Sequence, residues 1–311
     1  MTTMIFHHPD CEEHDTGFDH PESPQRLRAL LDELSMPEFN SLIWRLAPKA
    51  ERGQVLRAHD RSYFDHVFAS LPSGGRADFE PGGTVVSAMS GEAALRAAGA
   101  VCAAVDAVMK GEADNAFCAV RPPGHHAERD RGMGFCLFNN AAIGALHAKI
   151  AHRLDRIAVV DFDVHHGNGT QYILQDHPEM FFASSHQSFL FPNTGHANEV
   201  TPDNVVNMQL ARGSRGDAFR SQVAERVIPA LDAFQPQILI ISAGFDADRR
   251  DPVGGLKWDP DDYAWVTREL AAVVARHGNG RVVSVLEGGY SPRAVATSGA
   301  AHVRALMETA G

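Results

Sequence analysis

The sequence predicts an α/β protein: one open, mostly parallel β-sheet flanked by helices on both faces, formed by residues 1–311 as a single domain. Three observations predict it. Short apolar, β-branched-rich runs recur at Ala116–Val120, Ile157–Val160, Ile238–Ile241 and Val282–Leu286. Unbroken runs of this length are what strands buried on both faces look like. Helical stretches alternate with them, which implies parallel strands joined by right-handed crossovers. Each run also ends in a cluster of metal-binding or proton-handling residues, and ligands of an open parallel sheet sit beyond the carboxyl ends of its strands.

The elements follow in order. Leu71–Thr84, rich in Gly and Pro, reads as a long loop whose Asp78, Phe79 and Glu80 stand at the rim of a site. Gly91–Lys110 reads as a helix, with Ser90 as cap, Glu92 in the positive first turn and Gly111 as stop. His186–Asn204, carrying Phe189, Phe191 and Pro192, is a second long loop. Asp217–Phe234 is helical in pattern, with Pro229 set to kink it or shift its start. Pro260–His277 has Asp259 as cap, Pro260 in its first turn and Gly278 as stop.

Composition narrows the function classes. At 311 residues, 44% apolar and 22% charged, the chain suits one large globular core. Its net charge of −11, from 28 basic and 39 acidic residues, argues against a nucleic-acid partner, because phosphate contacts need clustered Lys and Arg. Cys11, Cys102, Cys118 and Cys136 show no CxxC spacing, which fits a reduced cytoplasmic setting. No signal peptide and no membrane-spanning stretch are visible.

The polar clusters carry the chemistry. In Asp161-x-Asp163-x-His165, alternation along an extended segment sends three side chains to one side. Two carboxylates beside two histidines at the end of a buried run need a cation to balance them. Asp246 ends another strand at a corresponding position. Asp163, His165 and Asp246 would give three ligands and an open fourth position, the arrangement of a catalytic zinc site. The same donor set also suits iron(II) or manganese. An isolated DxDxH would read as an ion-paired strand end; its company here reverses that reading. His125 and His126, after Arg121-Pro-Pro-Gly, are placed to take and return a proton. Asp161 and Asn168 are their candidate partners, and a carboxylate holds its histidine more basic than an amide does. Tyr290, after Gly288-Gly289, is placed to stabilise an oxyanion.

Together these motifs resemble the zinc-dependent histone deacetylase family of the arginase-deacetylase fold, and its class II branch and bacterial amidohydrolase relatives above all. The residues that carry the resemblance are RPPGHHA (Arg121–Ala127), GMGFCLFNN (Gly132–Asn140), DFDVHHGNG (Asp161–Gly169), SAGFD (Ser242–Asp246) and EGGY (Glu287–Tyr290). HPESPQR (His20–Arg26) matches the amino-terminal signature of the family. The resemblance implies zinc held by Asp163, His165 and Asp246, with proton handling by His125, oriented by Asp161, and by His126, near Asn168. Class I relatives carry Asp where Asn168 stands. It also implies Tyr290 on the substrate carbonyl, Phe135 and Phe191 as walls of a narrow tunnel, and the Gly134 carbonyl facing the substrate amide. A structural potassium ion would take Asp161, the carbonyls of Asp163 and His165, the Ser184 hydroxyl and the Ser185 carbonyl. A second such ion would take carbonyls near Leu174, His177 and Met180.

The expected activity is removal of acetyl or another short acyl group from acyl-lysine side chains in a peptide or protein. The alternative is the same chemistry on acetylated polyamines or other small N-acyl amines. Polyamine-specific animal relatives carry a glutamate where this chain has Val253, and an entrance-narrowing insertion with no equivalent around Gly17–Pro21. Bacterial polyamine enzymes narrow the entrance by dimerising, so a homo-oligomer stays open. Asp246-x-Asp248 resembles the two-manganese arginase pattern, but arginases use Asp-x-His-x-Asp where this chain has Asp161-x-Asp163-x-His165. The mononuclear reading stands.

Overall fold

The computed structural model describes residues 2–80 and 83–309. Met1, Ala310 and Gly311 lie outside the described residues, as do Pro81 and Gly82 of the expected 71–84 loop. Ten strands are formed among the described residues: β1 (Thr3–His7), β2 (Ile43–Leu46), β3 (Arg76–Glu80), β4 (Thr84–Ser87), β5 (Asn115–Cys118), β6 (Ile157–Asp161), β7 (Met180–Gln187), β8 (Val205–Leu210), β9 (Ile238–Ala243) and β10 (Val282–Leu286). The helices are α1 (Pro24–Leu34), α2 (Arg52–Val55), α3 (Arg61–Ala69), α4 (Ser90–Met109), α5 (Asn140–His152), α6 (Asn168–Leu174), α7 (Gly216–Gln222), α8 (Ile228–Phe234), α9 (Pro260–His277) and α10 (Pro292–Thr309).

Eight strands form one sheet in the order β2-β1-β5-β10-β9-β6-β7-β8, and every neighbouring pair in it is parallel. The expected open, mostly parallel sheet is therefore parallel throughout. The four strands that end in polar motifs are β5, β10, β9 and β6, four neighbours at its centre. Their runs are buried at every position, which explains the lack of apolar–polar alternation. Helices cover both faces. Phe117, Ile241 and Ser284 lie in register across β5, β9 and β10. Phe117 and Ser284 meet His302 of α10, whereas Ile240, pointing the other way, reaches the α4–α5 pair at Gly144.

Three expectations change in detail. Ser90 is the first residue of α4 and not its cap; its hydroxyl instead takes the Ser87 N–H and pairs with His14 Nδ1. The helix expected over 217–234 is split into α7 and α8 by a wide π-turn at Val223–Val227, with Pro229 in the first turn of α8. Proline lacks the N–H that an unbroken α-helix would need there. The expected 71–84 loop is largely the antiparallel hairpin β3–β4. Phe79 does not stand at the rim but turns inward against Tyr63, with ring centroids 6.3 Å apart. Asp78 remains exposed. No helix among the described residues is long and apolar enough to cross a membrane.

Candidate metal centre

Each motif supplies its side chain from the carboxyl end of one central strand. β6 ends at Asp161 and runs on into Asp163 and His165; β9 leads to Asp246, β10 to Glu287 and Tyr290, and β5 to the His125-His126 loop. Asp163, His165 and Asp246 come together with all three donor atoms within 4.8 Å of one another, and all three residues are buried. His165 Nδ1 lies 2.9 Å from Asp163 Oδ1 and 3.2 Å from Asp246 Oδ2.

The second carboxylate oxygens are spoken for unevenly. Asp163 Oδ2 accepts the Gly288 N–H at 2.8 Å, and Asp246 Oδ1 accepts the Val164 N–H at 2.8 Å. Asp246 Oδ2 is buried and, although His165 Nδ1 lies 3.2 Å away, accepts no well-aligned hydrogen bond. A buried carboxylate oxygen left without an aligned donor is costly to hold in a fold. Burial and the Asp163 charge together push the Asp246 carboxyl up to about 7. A divalent cation bound by these three side chains removes both penalties, and two carboxylate oxygens with one imidazole nitrogen suit such an ion. The donors and the orphaned oxygen thus fit the implied metal. Gly288 is required here, because a Cβ would collide with Asp246 Oδ2 and Asp163 Oδ2.

The histidine pair lies beside this cluster. His125 Nδ1 is 2.8 Å from Asp161 Oδ2, and its Nε2 is 3.8 Å from Asp163 Oδ1. Burial alone would lower its pKa, but the charges of Asp161 and Asp163 raise it to about 10. His126 Nδ1 is 2.8 Å from Asn168 Oδ1. Burial and the neighbouring His125 and His165 push His126 well below its ordinary value. Two adjacent imidazoles, with ring centroids 4.0 Å apart, are thus driven in opposite directions, His125 up by two carboxylates and His126 down by burial and its histidine neighbours.

Tyr290 is only partly buried; burial and the Asp246 and Asp163 charges hold its phenol well above 10, so it stays protonated. Its ring is 6.3 Å from that of His165 and 5.8 Å from Phe135. Phe191 stands 5.0 Å from His126, edge to face. Phe135 and Phe191 thereby flank the centre. Between them Gly134 has φ +55°, and a Cβ would strike the His126 ring and approach Phe191 to 2.8 Å, so only glycine fits. Its carbonyl accepts from Cys136 Sγ at 3.4 Å.

Four supporting residues were not singled out from the sequence. Glu22, fully buried, pairs with Arg26 at 2.7 Å and grips Arg121 through both oxygens, at 2.5 and 2.6 Å. Arg26 donates to the Gly289 and Glu287 carbonyls and lies 5.2 Å from the Tyr290 ring centre. The amino-terminal HPESPQR segment is therefore a brace for the EGGY turn. Glu287 Oε2 accepts the N–H groups of Gly124 and His125 at 2.6 and 3.1 Å, while Oε1 accepts from Ser242 Oγ at 3.0 Å. Asp251 accepts four N–H groups, from Val253, Gly254, Tyr290 and Ser291. The spacing of charged residues beside Gly-rich turns was the available signal.

Asp248 turns away from the cluster to a bidentate pair with Arg250 and a bond from Ser298 Oγ at 2.7 Å, consistent with a single metal ion. For the implied monovalent ion, Asp161 and Ser184 are cross-strand partners on β6 and β7, and the Ser185 hydroxyl is buried and unpaired. The carbonyls expected around the second implied ion already meet a side-chain donor. Asn204 Nδ2 already donates to the carbonyls of His177 and Met180, at 3.1 and 2.9 Å, and to Gln175 at 3.2 Å. One further trio, Asp106, His147 and His152, gathers between α4 and α5. There Arg57 donates to His147 Nδ1 at 2.7 Å, which leaves the proton on Nε2, facing Asp106, and that nitrogen cannot act as a ligand.

A parallel sheet whose central strand ends join a divalent-cation cluster to a histidine acid–base pair and a protonated phenol is the equipment of a metal-dependent amidohydrolase. The chain belongs to the histone deacetylase family: the histone deacetylase domain matches residues 20–306. Over 296 residues it is 37% identical to the histone deacetylase-like amidohydrolase of Pseudomonas aeruginosa, covering 92% of this chain and 76% of that one. It is 36% identical to type-2 histone deacetylase 2 of Dictyostelium discoideum over 98% of this chain, which spans 21% of that longer protein. The crystal structure of the HDA15 HD domain superposes with a TM-score of 0.93 at 32% identity, covering 99% of this chain and 88% of that one.

Proposed function

We propose that the protein is a zinc-dependent deacetylase that removes acetyl, or a related short acyl group, from lysine side chains. The observation that carries this is the orphaned Asp246 Oδ2 beside Asp163 and His165, a ligand set of zinc type that also suits iron(II). A divalent ion held there would polarise the substrate carbonyl and acidify water.

The residues do the rest. His126, neutral and with Nδ1 engaged by Asn168, offers Nε2 to take a proton from water and pass it to the leaving amine. His125, kept cationic by Asp161, favours the negative charge that develops beside it. Tyr290 donates its hydroxyl to the carbonyl oxygen as that oxygen gains charge. Phe135 and Phe191 line a slot for a slim alkyl stem, and the Gly134 carbonyl faces the substrate amide. Asp161 and Ser184, with the carbonyls of Asp163, His165 and Ser185, would hold a potassium ion, which would supply positive charge beside the Asp161 carboxylate. The fold reads as one catalytic domain, and the free, buried thiols suit a cytoplasmic setting.

The test is hydrolysis by the zinc-loaded protein of an acetyl-lysine peptide, longer acyl-lysine peptides and acetylputrescine. Highest kcat/KM on an acyl-lysine peptide supports the assignment. A strong preference for acetylputrescine would move the substrate to small amines, and no turnover with stoichiometric zinc would end the deacetylase reading.

A further inference from the structure

Asn168 is the one catalytic-centre amide whose orientation matters, because its two ends are chemically opposite: Oδ1 only accepts and Nδ2 only donates. A lone asparagine can turn either end toward a histidine, and the network around it decides which. Here every neighbour of Nδ2 is an acceptor. Glu128 Oε1 lies at 2.8 Å, Met133 Sδ at 3.5 Å and the His126 carbonyl at 3.5 Å. Glu128 is the strongest of these, since a carboxylate has nothing to donate. Its backbone is anchored by its N–H on the Arg131 carbonyl at 2.9 Å, and the exposed Arg131 guanidinium adds contacts to both carboxylate oxygens at 3.0 and 3.1 Å.

We infer that Glu128 is a positioning residue that sets the tautomer of His126 through Asn168. The inference rests on the deacetylase reading for its kinetic consequences. With Nδ2 held on Glu128, Oδ1 faces His126 at 2.8 Å. The ring must then carry its proton on Nδ1 and leave Nε2 as the bare nitrogen. Were the amide reversed, the Asn168 N–H would meet His126 Nδ1, the proton would move to Nε2, and the nitrogen aimed at the reaction would be blocked. Glu128 touches neither substrate nor metal ligand in this arrangement. It acts through one amide, three residues beyond the histidine pair's first member in sequence but on the far side of Asn168 from the chemistry.

The experiment pairs kinetics with nitrogen-15 NMR of the zinc-loaded protein, labelled at histidine, with the His126 signals identified by their loss in His126→Ala. In the native protein the protonated nitrogen of His126 is Nδ1. Glu128→Ala should yield a mixture of tautomers and lower kcat about 10–100-fold with KM nearly unchanged, the range for losing a partner that orients a catalytic ligand. Glu128→Gln, whose Oε1 still accepts from Asn168, should restore Nδ1 protonation and most of kcat. Arg131→Ala separates this from a plain surface ion pair: it should keep the native tautomer and at least about half of kcat. An unchanged His126 tautomer in Glu128→Ala, or equal losses in Glu128→Ala and Arg131→Ala, would overturn the inference. The tautomer is read without turnover, so absence of deacetylase activity would sink the functional reading and leave this one testable.

Discussion

Asp251 Oδ2 accepts the backbone N–H of Tyr290 at 2.6 Å. The tyrosine that faces the metal cluster is thus held from behind by a carboxylate 39 residues earlier in the chain. Asp251→Ala strips acceptors from four N–H groups and should destabilise the fold by about 1–3 kcal/mol. It should also lower kcat more than it raises KM, because the phenol loses its fixed direction. Denaturant unfolding and steady-state kinetics on one preparation check both.

Tyr290→Phe removes only a hydroxyl from a ring that is already packed against Phe135. Loss of one oxyanion donor corresponds to a fall of about 10²–10³ in kcat. The thermal midpoint should stay within a degree or two of native. A variant with near-native turnover would remove Tyr290 from the chemistry.

Chelation followed by thermal melting tests the metal centre without any substrate. Zinc at 100 times its Kd should raise stability by about 2.7 kcal/mol. Asp246→Asn should abolish most of that zinc-dependent increase, while Asp248→Asn, in its pair with Arg250, should keep it. Equal zinc responses in the two variants would place the ion elsewhere.

Asn168→Asp would set a second carboxylate about 2.8 Å from Glu128 Oε1, and two carboxylates that close cannot both stay ionised in place. The single variant should lose activity at least tenfold. Adding Glu128→Lys turns the clash into an ion pair and should recover a large part of it. A double-mutant cycle on kcat/KM measures the coupling.

Acid should unfold the protein partly through Glu22. Burial opposes its charge, but Arg121 and Arg26 hold its carboxyl down to about 2 from 4.5. A depressed carboxyl stabilises the fold above its unfolded value, and that contribution fades as pH falls from about 5 toward 2. Glu22→Gln leaves two buried guanidinium groups without their counter-charge and should cost about 3–5 kcal/mol. Its stability should also vary less with pH across that window than native stability does.

The centre of the sheet was legible because chemistry and periodicity coincide there: a run buried on both faces cannot alternate, and several polar clusters ending neighbouring runs point to one crevice. The donor trio is read from residue type at the ends of strand-like runs, and Asp161 and Asn168 are candidate partners whose assignment to His125 and His126 comes from the family resemblance. The hairpin β3–β4 was hidden by its glycines and prolines, which hid the inward side chain of Phe79 as well. Glu22, Glu128, Asp251 and Glu287 were harder. Each acts by accepting N–H groups from segments distant in sequence, and nothing in a linear pattern says which amide a carboxylate will meet. Asn204 is the same case in reverse, a side-chain donor that meets the carbonyls of His177 and Met180 from a distant segment.

Strand β10 follows the other seven strands of the sheet in sequence, yet it slots between β5 and β9 in the middle of the sheet. Until it does, the histidine pair on one side and the metal ligands on the other belong to two half-sheets with a gap between them. A chain clipped before residue 282 would therefore lack not merely Tyr290 but the spacing of everything else, so the centre can assemble only once β10 has been made.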